Sequence, residues 1–386
     1  MQKTRSDVRL IVRELDTDSR ADVKKFIELP FTLYKDCEQW LPPIILDAKF
    51  QLNRRKNPFY LRNEAAFFLA ERDGIPVGRI AVFDPQYLND FKKTRNAHFN
   101  LFECVNDRTV ANALFETAAE WARERGLDTI RGPFGFMAAD GFGFLAKGFE
   151  LRPTAGIPYN FEYYNDLAQA WGFQRVERAL TGYFHMPTQR KQVEQRLIRV
   201  AEAVQKRYGF TVRSFNTKRA LRKFVAPRIA DIYNRTLTHI AGDPPVPDEE
   251  LKIVVDNLLL LSNPKLHKFI MKDDEFVGFL LCFVGISDGI KKANGRLFPF
   301  GYLRIMRDFK ETKWVNYNGI GIVPEYQGRG GTALMYAAIA NSLLEFPEYE
   351  HAEVIQISEF NHQSLNEMKK FGVTFYKEHW IYSKPL

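Results

Sequence analysis

The stretch 319-GIGIVPEYQGRGGTALMYAAIANSLLEF-346 decides how this chain is read. An apolar run ends at Pro324. Three glycines (Gly328, Gly330, Gly331) follow, and small and apolar residues then continue at helical spacing up to Pro347. The segment predicts a strand, a bare loop and a helix. The first amides of such a helix have no intrahelical acceptor, and the helix dipole is positive there, so an anion fits. Glycines let backbone N–H groups close on phosphate oxygens, and Arg329 adds a charge-assisted contact. The loop lacks the Lys-Ser/Thr pair of a P-loop. Gly319 and Gly321 lie in the strand, not at the helix entry that a dinucleotide fingerprint requires. Taken alone, the stretch reads as a phosphate cradle or as a mobile glycine turn.

The rest of the chain narrows the choice. Its 386 residues suffice for two domains, and 45% hydrophobic with 26% charged residues is the balance of a soluble globular protein. The N-terminus, MQKTRSDVRL, is charged and carries no signal-peptide core, and the apolar run 276-FVGFLLCFVGI-286 is too short to span a bilayer. Cys37, Cys104 and Cys282 lie far apart, which predicts neither a disulfide framework nor a zinc site and suits a cytoplasmic compartment. No histidine spacing suggests a metal. A net charge of +8 admits nucleic acid, anionic lipid or a small polyanion as partner. The basic residues are dispersed, with RRK at 54–56 the densest group, and no nucleic-acid-binding signature is present, so no nucleic acid is expected. The 33 Phe and 16 Tyr suit aromatic cores or an apolar ligand channel.

Two halves share an order of signals. The stretches 67-FFLAERDGIPVGRIAVF-83 and 268-KFIMKDDEFVGFLLCFV-284 each read as a hairpin. Later in each half come an Asn, a short helix and an aromatic-Gly pair: Asn160 to Trp171-Gly172, and Asn361 to Phe371-Gly372. These predict two copies of one α/β unit, residues 1–185 and 190–386. The second copy opens with a helix over 191–210 closed by Gly209. A long helix over 217–240 follows, then the loop 242-GDPPVP-247 and a helix over 248–262 capped by Asp248. After the hairpin come a connector (287–312), the strand 314–323, the glycine loop and its helix. The strand 352–358, the helix 361–371 and a final strand pair in 374-TFYKEHWIYSK-384 complete the chain.

On these residues the chain resembles the GNAT superfamily of acyl-CoA-dependent N-acyltransferases. Gln327 and Gly330 match the family's phosphate loop, with Thr332 at its last small position; 352-AEVIQISEFN-361 and 371-FGV-373 match its next motif. The whole chain also looks like a bacterial double-GNAT group that includes ceramide synthases, through 56-KNPFY-60, 131-RGPFGF-136, 294-NGRLFPFG-301 and 359-EFN-361. The resemblance implies an α/β (α+β) fold of tandem GNAT-like domains, each a twisted mixed sheet flanked by helices. It implies CoA or acyl-CoA as co-substrate and no metal. Gln327, Gly328, Arg329, Gly330, Gly331, Thr332 and Ala333 would cradle the pyrophosphate. Gly321, Ile322 and Val323 would offer backbone groups to the pantetheine and to the oxyanion, and Asn361 completes the set. The first half departs from the pattern. After 98-HFNLFEC-104 no glycine appears until Gly126, so CoA is assigned to 190–386 and the first half to scaffold or substrate side. Its loop 134-FGFMAADGFGFLAKGFE-150 reads as a packed insert or as the wall of an acyl channel.

Amide formation needs a neutral amine: one with pKa near 10 is only about 0.1% neutral at pH 7, a cost of roughly 4 kcal/mol that a base must offset. Glu359, beside Asn361, is the candidate base, with Glu353 on the same strand set aside as structural. The family's acid, a Tyr seven residues after the motif Asn, is here Met368. Tyr376 is the candidate substitute, with Tyr382 and Tyr326 behind it, and His239 with Asp243 can reach in from the substrate side. Three readings stand: an N-acyltransferase, a non-catalytic acyl-CoA sensor, and a nucleic-acid binder motivated by charge alone. For the first, the acceptor is a small amine or a lipid amine, and a lipid acceptor implies peripheral contact with the inner membrane face.

Overall fold

The computed structural model describes residues 9–137, 140–187, 199, 201–238, 242–260 and 262–386. The chain divides into two compact units: Met1–Ala179 with Ile290–Arg304 and Lys377–Leu386, and Leu180–Gly289 with Ile305–Tyr376.

The first unit contains β1 (Leu10–Glu14), β2 (Glu64–Arg72), β3 (Ile75–Asp84), β4 (Asn96–Cys104), β5 (Thr129–Gly132) and β6 (Phe144–Lys147). β1 to β4 pair antiparallel in sequence, and β4 pairs β5 in parallel. The β2–β3 hairpin turns on Asp73 and Gly74, both at positive φ, as a two-residue turn requires. A helix, Arg108–Glu124, connects the parallel pair and buries Val110, Leu114, Phe115, Ala118 and Ala122. The core around it is aromatic, with Phe99, Phe102, Phe115, Phe144 and Phe173 in mutual ring contact. Phe136 and Phe144, from the loop read as insert or channel wall, are both buried in cores.

The second unit repeats the scheme. Residues 180–185 belong to β7 (Gln174–His185), followed by β8 (Phe210–Arg213), β9 (Lys268–Lys272), β10 (Glu275–Val284), β11 (Trp314–Ile322) and β12 (His351–Ser358). β8 to β11 pair antiparallel in sequence and β11 pairs β12 in parallel, the same succession as β1 to β5. The helix Gly331–Leu344 connects that parallel pair, and the helix His362–Lys370 leads to β13 (Thr374–Pro385).

Four expectations change. The long helix over 217–240 is a helix at Lys218–Val225, a second at Ile229–Tyr233 and a wide helical turn at Asn234–Thr238. Pro227 has no N–H and its ring clashes with the preceding turn, so the helix breaks there. The connector 287–312 folds as two helices, Ser287–Ala293 and Gly301–Glu311. The final strand pair is one strand, Thr374–Pro385. Its residues 382–385 pair β5 and 378–380 pair β6, so the chain end joins the first unit, and a single cut between 185 and 190 does not describe the units. Of the helix expected over 191–210, residues 201–208 are helical and Gly209 ends it at φ 68°; most of the remainder lies outside the described residues. Among the described residues, no helix is long and apolar enough to cross a membrane.

Candidate active site

β11 and β12 pair only from Trp314↔His351 to Tyr317↔Val354. Beyond that point β11 carries an extra residue against β10: Leu280 opposes Ile320 while Cys282 opposes Tyr317. The bulge lies at Asn318–Gly319, with Gly319 at φ 105°, and a bulge bends its strand. The two strands therefore part over Asn318–Ile322 and Ile355–Ser358. The Val323 N–H donates to the Val277 carbonyl on β10 at 3.0 Å. That occupies the amide and removes Val323 from the oxyanion donors expected from sequence. Strand alternation turns the neighbouring Ile322 backbone to the opposite edge, into the split. The Gln327 side-chain amide reaches the Ile322 carbonyl at 3.0 Å, so the matched Gln of the loop ties it to the mouth of the split.

The glycine loop follows directly. Gly328 and Gly330 have φ of 72° and 80°, and Gly330 is the N-cap of the helix Gly331–Leu344, with no capping side chain. A Cβ on Gly330 would sit 2.5 Å from Cγ2 of Val204, and one on Gly321 would sit 2.7 Å from Cβ of the buried Thr236. Leu334 is the first residue to bond back into the helix, onto the Gly330 carbonyl at 3.1 Å. The amides of Gly328, Arg329, Gly330, Gly331, Thr332 and Ala333 precede it, and no acceptor for them is found among the described residues. Arg329 lies over the Tyr326 ring, 5.2 Å from its centroid. Asn361 caps the helix His362–Lys370, its Oδ1 accepting from the Ser364 N–H at 3.1 Å.

The first unit has the same split and no cradle. β4 bulges at Leu101–Phe102, and β4 pairs β5 only over Asn96–His98. Where the glycine loop would lie stands Asp107, the N-cap of Arg108–Glu124. Its carboxylate accepts the Thr109 N–H at 2.8 Å and the Arg72 guanidinium at 2.6 Å. Arg72 holds it below the usual carboxylate range. The helix N-terminus therefore already has its anion.

On one face of the β11–β12 pair lie Trp314 and His351, stacked at 4.5 Å, and two residues on lie Asn316 and Glu353, which oppose each other. Tyr183 bonds Nδ1 of His351 at 2.9 Å. Glu353 is fully buried, and Tyr376 donates its hydroxyl to Oε1 of Glu353. The Oδ1 of buried Asn316 has no partner among the described residues. The structure thus joins Tyr376 to Glu353, the carboxylate that sequence reasoning set aside. Glu359 is half-buried in the turn between β12 and Asn361. His239 lies outside the described residues.

On the opposite face, Met368 is buried, and the Tyr336 hydroxyl approaches its sulfur at 3.6 Å. Burial raises the Tyr336 pKa, so the phenol stays protonated at neutral pH. Tyr336 stands six residues after Gly330 on the helix that follows the loop.

This is a tandem GNAT fold. The chain superposes on a tandem GNAT protein from the clavulanic acid biosynthesis pathway with a TM-score of 0.57, covering 98% of both chains at 12% identity. It superposes on a GCN5-related N-acetyltransferase from Sphaerobacter thermophilus with a TM-score of 0.51, covering 99% and 97% at 13% identity. In sequence it is 26% identical over 374 residues to Protein YghO of Escherichia coli (strain K12), covering 95% of this chain and 94% of that one. It is 24% identical over 373 residues to the bacterial ceramide synthase of Caulobacter vibrioides, covering 95% of each. No family model matches the chain.

Proposed function

We propose that this protein is an acyl-CoA-dependent N-acyltransferase whose second unit holds the acyl-CoA and whose acceptor is a primary amine. The observation that carries the reading is the row of unclaimed amides at Gly328–Ala333, set at the mouth of a strand split that its bulge holds open. The loop and helix start suit the pyrophosphate. The parted edge of β11 suits the pantetheine, and the Ile322 N–H suits the oxyanion of a tetrahedral intermediate.

The face bearing Glu353 suits the amine. A buried carboxylate and the lone Asn316 carbonyl oxygen are both acceptors, and an ammonium group brings three donors. In this reading Glu353, through Tyr376, takes the proton that frees the nitrogen lone pair. The neutral nitrogen attacks the thioester carbonyl, and the C–N bond forms to give the tetrahedral oxyanion. As that intermediate collapses the C–S bond breaks, the thiolate leaves and the nitrogen's second proton passes to solvent water. Tyr336 supplies a hydrogen bond to the departing sulfur from the side where the family's Tyr is missing. Glu359 is left as a charge at the rim. The kinship with a ceramide synthase favours a long-chain donor and a lipid amine over acetyl-CoA and a small amine.

The test is release of CoA thiol across acyl lengths from acetyl to palmitoyl, against small amines and sphingoid bases. Release with a long-chain donor and a long-chain amine is expected. Acyl-CoA binding with no release for any amine would make the protein a sensor, and no binding of any acyl-CoA would overturn the loop assignment.

A further inference from the structure

Among the described residues, large exposed apolar side chains are scattered, except in one place. Phe298, Phe300, Tyr302 and Leu303 fall within six residues and are 77%, 66%, 51% and 61% exposed. Phe298 and Phe300 lie in the turn between the helices Ser287–Ala293 and Gly301–Glu311, and Tyr302 and Leu303 in the first turn of the second helix, all within the first unit. This is no slack loop. The Tyr302 N–H donates to the Leu297 carbonyl at 2.8 Å, and the Ile45 N–H donates to the Gly295 carbonyl at 2.9 Å. The Arg296 guanidinium lies over the Phe31 ring at 5.6 Å, and the Arg304 guanidinium bonds the Lys292 carbonyl. The backbone is fixed, and it holds the rings out into solvent. Ile45 is followed by Leu46, also 49% exposed, which adds an aliphatic side chain beside the same turn.

The charge along this stretch is of one sign. From Ile290 to Arg304 the sequence has Lys291, Lys292, Arg296 and Arg304 and no acidic residue. All four are exposed, and none has a carboxylate partner among the described residues. Elsewhere in the first unit some exposed arginines are matched, as in Arg55–Asp18, Arg95–Asp128 and Arg123–Glu116. Four unmatched cations around four apolar side chains are unsuited to a self-facing contact, because a second copy would bring like charge against like. They suit an anionic lipid surface, where rings enter the headgroup boundary and cations meet phosphate.

We propose that Phe298, Phe300, Tyr302 and Leu303, with Lys291, Lys292, Arg296 and Arg304, form a docking surface for anionic phospholipid bilayers. The inference stands apart from the acyl transfer reading, because docking is read without acyl-CoA. The experiment is flotation of the full chain with phosphatidylcholine vesicles, and with vesicles containing about 30 mol % phosphatidylglycerol, at low and high salt. The protein floats with the anionic vesicles, less so at high salt and little with phosphatidylcholine alone. The double variant Phe298→Ser/Phe300→Ser loses about tenfold or more in partitioning, and Lys292→Glu/Arg304→Glu loses the preference for phosphatidylglycerol. All four positions are exposed, so melting temperature is expected to hold; if the serine pair unfolds, the charge-reversed pair decides alone. The proposal is overturned if the wild-type chain stays unbound with anionic vesicles, or if the folded variants float as it does. It is also overturned if the substitutions dissolve an oligomer while leaving vesicle binding unchanged, which would assign the patch to protein contact.

Discussion

Replacing Gly330 by Ala tests the cradle most directly. At φ 80° an alanine sits in the left-handed region, at a cost of about 1–2 kcal/mol. Its Cβ would also stand 2.5 Å from Cγ2 of Val204, well inside contact distance, and such overpacking costs about 1–3 kcal/mol. The two together, about 2–5 kcal/mol, are enough to move the loop and misdirect its amides. Gly328 is the internal control: its φ is 72°, but a Cβ there meets nothing within 4 Å, so Gly328→Ala carries the backbone strain alone. The assay is thermal unfolding of each variant with and without acyl-CoA. A ligand at a hundred times its Kd stabilises by about 2.7 kcal/mol. That increment is expected in the wild-type chain, reduced in Gly328→Ala and absent in Gly330→Ala. Adding Val204→Ala to Gly330→Ala removes the overlap and is expected to recover part of it. A Gly330→Ala chain that keeps the full ligand shift would refute the cradle. So would equal losses in the two alanine variants, because the argument depends on the difference between a crowded glycine and an open one.

Three further outcomes follow from the site and the core. Glu353→Gln, nearly isosteric, is expected to lower kcat/KM for the amine about 100-fold or more while leaving acyl-CoA affinity unchanged; thiol-release kinetics with an unaltered rate would return the base to Glu359. Tyr336→Phe removes only the hydroxyl and is expected to lower kcat about tenfold or more with a CoA donor, and by less with an acyl donor of more acidic thiol; an equal loss with both donors would make Tyr336 a packing residue. His267 is fully buried with neither ring nitrogen bonded among the described residues, and burial lowers its pKa from 6.5 to about 3. The unfolded chain therefore takes a proton below pH 6.5 that the folded chain refuses until about pH 3. Stability falls with pH across that window, by about 2 kcal/mol at pH 5 from this group. Denaturant titrations of His267→Leu against wild type at pH 7 and pH 5 should show that acid loss reduced in the variant, and parallel losses would refute the assignment.

The tandem plan was legible because each unit writes its local rules plainly. Alternation gives the two hairpins, and a two-residue turn at 73–74 fixes one register. A Gly-rich strand-to-helix turn reads as an anion site or as a mobile turn, and the order of elements around it favours the first. Pro227 was equally visible, and the long helix was drawn through it against the rule that proline breaks a helix. The return of β13 to the first unit was not legible, since nothing local says which strands a twelve-residue β segment will pair.

The sequence by itself determined which unit carries the bare glycine loop, because free amides at a helix start follow from local residue types, and it showed Met368 where the family it resembles has Tyr. Only the tertiary structure decided what surrounds them. It placed Tyr376 on Glu353, left the Asn316 Oδ1 without a partner among the described residues, carried the Tyr336 hydroxyl to Met368 and spent the Val323 amide on Val277. The physical reason is range. Capping, turns and periodicity act over a few residues, whereas which side chains share a sheet face depends on strand register and bulges set by partners tens of residues away.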